Sequence, residues 1–83
     1  MTIRRYENMS RNKIYGAIAQ YTDMLAAIQR HQNYLASGNG LPKDELARWE
    51  LQLSHGQVEE KLRDYIRELE AELAFKDQHD ISE

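Results

Sequence analysis

Cysteine is absent from this 83-residue chain. Neither a disulfide framework nor a thiolate metal site can therefore compensate for the modest core that so short a domain buries. Proline occurs once, at Pro42, and glycine four times, so few positions interrupt regular structure. No apolar run approaches the ~20 residues of a membrane span, and the N-terminus lacks the apolar stretch of a secretory signal. The expected location is the cytoplasm. No nucleophile elbow or zinc-protease helix occurs, and Gly38-Asn39-Gly40 lacks the lysine and spacing of a phosphate loop. Helix packing and oligomerisation remain as sources of stability.

What the chain does contain is helical period. Ile14, Ile18, Tyr21, Leu25, Ile28, Gln32 and Leu35 follow one another at alternating steps of four and three, which is a heptad seam with one polar break. Ala17, Met24 and His31 each precede a seam residue and widen the stripe to that of a globular bundle. Gln32 either fixes register from within the seam or lies near a frayed helix end. Ser10 is a helix-start residue, so the first helix is expected over 11–36, after a flexible basic segment over 1–10. Ser37, Gly38, Asn39 and Gly40 form the stop signal, with a turn over 37–41. Pro42 then opens a second helix over 42–76, with Asp44 and Glu45 suiting the positive end of its dipole. Two long helices joined so closely should run antiparallel. The expected fold is all-α, a helical hairpin dimerising into a four-helix bundle, followed by an acidic, disordered tail over 77–83.

The second helix carries more apolar surface than a hairpin needs. Ala47, Leu51, Val58, Leu62, Tyr65, Ile66, Leu69 and Leu73 share one side at 100° per residue, whereas Leu46, Trp49 and Leu53 lie nearly opposite. A straight helix would leave that second ridge free for a partner. A break near Gly56 would instead fold it into the monomer. The straight form is expected, since a lone glycine costs only about 1 kcal/mol in a helix. On it, Leu46, Trp49 and Leu53 are the candidate partner-binding residues, tryptophan being frequent at interface hot spots.

Catalytic and metal chemistry find little support. His31, His55 and His79 lack the spacing of a helical metal site, and His55 with Glu59 makes only a surface pair. The acids Glu59, Glu60, Glu68, Glu70 and Glu72 alternate with Lys61, Arg63 and Arg67 and read as a solvated face. No enzyme activity, cofactor, metal or small-molecule substrate is expected. Net charge is -3 but unevenly spread. Residues 1–13 carry a net +3, from Arg4, Arg5, Arg11 and Lys13 against Glu7, while residues 64–83 carry a net -5. The basic cluster with Tyr6 supplies an alternative reading, a dimeric nucleic-acid-binding regulator gripping phosphates. In size and helix-turn-helix outline the chain is similar to small bacterial secretion co-chaperones and phage-encoded host-factor inhibitors, a likeness of outline without a shared motif. The leading expectation is a small homodimeric adaptor, chaperone or inhibitor, of the kind phages and plasmids encode, that binds a protein partner through an apolar helix face.

Overall fold

A computed structural model describes residues 6–79. Three α-helices appear among them, not two: α1 (Arg11–Gln29), α2 (Lys43–Gln52) and α3 (His55–Gln78), with a short 3-10 turn at Tyr34–Ser37 between the first two. No strand occurs among the described residues. The helical hairpin of the sequence reading is thus corrected to a three-helix arrangement. Its spine is the pairing of α1 with α3.

α1 begins where Ser10 directs it, the serine hydroxyl accepting a hydrogen bond from the Lys13 amide at 3.3 Å. It ends seven residues earlier than the heptad suggests. His31 takes a left-handed conformation with φ 56°, the Gln32 amide donates to the Ala27 carbonyl at 2.8 Å, and the His31 amide donates to Ile28 at 3.0 Å. These two bonds close a Schellman motif, which satisfies carbonyls that the helix end would otherwise leave orphaned. Glycine ordinarily occupies that position, and a histidine there carries no stop signal. His31 and Gln32 are accordingly exposed rather than part of a seam, and Tyr34 is 5% exposed in the core. His31→Gly relieves the cost of a left-handed side chain while adding unfolded-state entropy. We expect a net gain of about 0.5–1 kcal/mol in chemical denaturation.

The connection to α2 turns sharply twice. Asn33 caps the 3-10 turn through its side chain, and the Leu41 amide then donates to the Gly38 carbonyl at 3.1 Å. Gly40 sits at φ 92° in this second turn, the conformation a type II turn requires at its third residue. Gly38 is buried, and a methyl group there would lie 3.2 Å from Met24 Sδ and 3.3 Å from a Leu46 methyl. Pro42 precedes α2 as its N-cap rather than occupying the first helical position.

The long second helix of the sequence reading is broken, two residues before Gly56. Leu53 (φ -117°, ψ 141°) and Ser54 (φ -74°, ψ 163°) are extended. Ser54 accepts from the Gln57 amide at 3.3 Å, and the Gln57 side chain accepts from the Ser54 amide at 2.9 Å. This reciprocal capping box starts α3, with Leu53 and Val58 at the positions of a hydrophobic staple. Breaking here turns α2 so that its Leu46, Trp49 and Leu53 side meets α1 and α3. The opposite side, Ala47 and Leu51, is left exposed.

The core is drawn from all four segments. Ile14, Met24, Val58, Leu62 and Leu69 are fully buried, and Tyr21, Ala27, Ile28, Tyr34 and Trp49 nearly so. Burying each large side chain is worth about 1.5–3 kcal/mol against the entropy of ordering the chain. α1 and α3 run antiparallel, as Arg11 pairs with Asp77 at 3.1 Å while Tyr34 stacks edge-on to His55 with ring centres 5.8 Å apart. At about 1.5 Å per residue, the 24 residues of α3 span most of the molecule's 40 Å length.

Candidate functional site

Three surfaces merit consideration, and each follows from where a helix face ends up. The first is the α2 ridge. Trp49 is 2% exposed, and Leu46 and Leu53 pack half-buried against the core. Trp49 stacks on Tyr65 (6.1 Å, 30° between planes) and Tyr65 leans on Tyr21 at 5.4 Å. The Lys61 ammonium lies 5.9 Å from the Trp49 ring centre and 5.5 Å from that of Tyr65, placing a cation over both π faces. Tyr65 Oη donates to Glu45 Oε1 at 3.2 Å, tying α3 to the first turn of α2. The three residues read from the sequence as a free docking face are therefore occupied inside the monomer. A continuous helix would have exposed them; the capping box at Ser54 prevents it.

The second is a cleft of about 300 Å³ beside the α2–α3 junction, lined by residues 31–35, Glu50, Leu53 and His55. It gathers two imidazoles, a carboxylate and a phenol from two stretches of the chain, His31 and Tyr34 from one and Glu50 and His55 from the other. Burial raises the Tyr34 phenol above its ordinary value of 10.0, and the negative charge of Glu50 adds to the effect. Raising an acid's pKa on folding means that the folded state holds a proton the unfolded chain releases. The Tyr34 contribution is intact below pH ~10 and fades as the pH rises through the higher folded value. Tyr34→Phe should flatten that alkaline loss of stability relative to the wild type in melts taken between neutral pH and pH ~11. Among the described residues no group of three or more histidine, aspartate or glutamate side chains could hold a metal ion. His55 is turned toward Tyr34, and Glu59, four residues on, bonds Arg63 at 2.6 Å instead.

The third is the outward face of α1. Between Ile14 and Gln29 the only charged residue is Asp23, so beyond its first turn the helix has almost no ionic surface where it meets water. Tyr15 is 59% exposed. Ala19 and Thr22 are exposed beside it, and Ile18, Leu25 and Ala26 are half-covered. α3 contrasts with this, its outer side bearing the exposed charges Glu60, Arg63, Asp64, Arg67, Glu68 and Glu70 and the ion pairs Arg63–Glu59 and Arg67–Asp64. Sequence reading passed over the α1 face because its residues are small and individually unremarkable. The signal lay in missing charge rather than in large apolar groups.

The basic cluster falls only partly within the described residues. Arg4 and Arg5 lie outside the described residues. Arg11 is engaged with Asp77, and Lys13 is exposed. The far end of α3 adds two charged groups to the interior, Glu72 at 5% and Lys76 at 1% exposure, with Lys76 Nζ donating to the Glu7 carbonyl at 3.4 Å. Glu72 had read as part of a solvated face; it lies on the same side of α3 as Leu69 and Lys76, which is the side turned inward. No helix among the described residues is long and apolar enough to cross a membrane. Comparison with family models, curated proteins and solved structures finds no match to this chain.

Proposed function

We propose that the protein is a small, non-enzymatic protein–protein interaction module, an adaptor, chaperone or inhibitor that works by occupying a partner's surface. The observation that supports this reading is the outward face of α1, where Tyr15, Ala19 and Thr22 stand in solvent across a helix with a single internal charge. Small residues let a partner helix approach the backbone closely, and an exposed tyrosine offers a rigid anchor with a polar tip. The ridge of Leu46, Trp49 and Leu53 is a secondary surface, reachable only if α2 and α3 part.

Affinity capture from the native host, with mass spectrometry of what is retained, tests the reading when run beside Ala19→Arg. A partner kept by the wild type and lost by Ala19→Arg, with helicity unchanged in both, supports the α1 face. Retention by both variants removes that face from the proposal. A nucleic-acid regulator predicts instead an affinity that falls steeply with salt and drops when Arg4, Arg5 and Lys13 become alanine. With Arg11 committed to Asp77, we expect no such binding at physiological salt.

A further inference from the structure

The break between α2 and α3 leaves the apolar pattern of the sequence unspent. Ala47 and Leu51 precede Val58, Leu62 and Leu69 at steps of four, seven, four and seven, so a helix running straight through would carry all five on one line. In the monomer that line is cut, and Leu51 is left 85% exposed. The cut is only two residues wide, neither of them proline or glycine, and helical angles are sterically open to both Leu53 and Ser54 beside the extended ones they hold.

We propose that α3 is exchanged between two copies of this chain, with Leu53–Ser54 as the hinge. Straightening the hinge joins α2 and α3 into one helix from Lys43 to Gln78. α3 then leaves its own α1–α2 pair and packs on that of a second copy, while a second α3 returns the exchange. The α1–α2 connection, with Gly38 against Met24 and Leu46, stays as it is. Contacts now within one chain form between chains: Arg11 with Asp77, Tyr65 with Glu45, and the Trp49–Tyr65 stack. The second copy is the occupant because the groove and the helix that fills it are already complementary, and short hinges favour such swaps. What the dimer adds is the backbone bonding of the first turn of α3, satisfied through the hinge in place of the capping box, and the turning of Ala47 and Leu51 toward the other copy on the side of Val58 and Leu62. The inference goes beyond the α1 surface, which the exchange leaves free.

Ser54 allows a direct test on the full chain. Ser54→Pro fits the backbone of the broken form, since φ -74° at Ser54 and the extended Leu53 match what proline imposes on itself and on its predecessor, though it gives up both hydrogen bonds of the capping box. It opposes the straight form by a factor of about a hundred at each hinge. Light scattering across a concentration series, after unfolding and refolding at high concentration, should show a wild-type dimer whose dissociation constant rises at least about a hundredfold in Ser54→Pro. Ser54→Ala, which removes the cap peculiar to the break, should tighten it by about tenfold. Because cysteine is absent, Glu45→Cys with Lys61→Cys and a short bismaleimide reports the topology, and the crosslink should join two chains in the dimer. The exchange is overturned by a dimer crosslinked only within chains, by one indifferent to both Ser54 variants, or by a monomer at every concentration in wild type and Ser54→Ala alike. A dimer lost in Ala19→Arg but indifferent at Ser54 would overturn the exchange while upholding the α1 face. Should Ser54→Pro fail to fold, Ser54→Ala and the crosslink still decide.

Discussion

Leu62→Ala should cost about 2–5 kcal/mol, the range for truncating a fully buried leucine, and lower the melting temperature by at least about 8 °C, at roughly 4–8 °C per kcal/mol for a domain of this size. Leu62 is 0% exposed, about a third of the way along α3 on the side that meets α1. Removing its branched end takes away transfer energy and leaves a void that two helices held by many neighbouring contacts cannot close. A domain of 83 residues has a total stability on the order of 4–12 kcal/mol at typical values per residue, so the loss approaches a large fraction of the whole. Circular dichroism melts would show it as a shift of the entire transition, because α1 and α3 form the spine of the fold. A shift under about 2 °C would mean that the α1–α3 contact is not where the stability resides.

How much of this was legible in the sequence depends on which physical signal each element carries. The helical class and the inward residues Ile14, Tyr21, Met24, Ile28, Val58, Leu62 and Leu69 follow from period alone, because the face of a helix is fixed by 100° steps whatever packs on it. The start of α1 was readable at Ser10, since a capping hydroxyl acts locally. The end of α1 was not, since His31 adopts a conformation that sequence reading assigns to glycine. Ser54-x-x-Gln57 was present in plain view as a capping box between Leu53 and Val58. Gly56, a weaker signal, merely occupies the first turn of α3. Two apolar faces on one helix could be satisfied either by another molecule or by a break, and period alone does not choose between them. The cap does. The charged interior of α3 was illegible for a different reason: Glu72 and Lys76 are four residues apart among many similar pairs, and only the fold distinguishes the pair turned inward from those in water.

Trp49→Ala should produce the largest loss of any single truncation, about 3–5 kcal/mol, and Leu51→Glu, two residues away, should cost no more than about 0.5 kcal/mol in the monomer. The contrast rests on which side of α2 each residue occupies. Trp49 is 2% exposed and stacked on Tyr65 beneath the Lys61 ammonium, so its removal forfeits buried area, an aromatic pair and a cation–π contact together. Leu51 is 85% exposed, and a carboxylate there meets only water. A ten-residue helix is marginal alone, and α2 holds to the spine chiefly through Leu46, Trp49 and Leu53. Its release in Trp49→Ala should therefore show as amide exchange that rises most over Lys43–Gln52, with α1 and α3 protected longer. If Leu51→Glu instead destabilises a dilute monomeric sample as much as Trp49→Ala does, α2 faces the other way and the hairpin read from the sequence is the correct fold. At high concentration the two variants separate again under the exchange described above, because Leu51→Glu then weakens the dimer without lowering the melting temperature of the monomer.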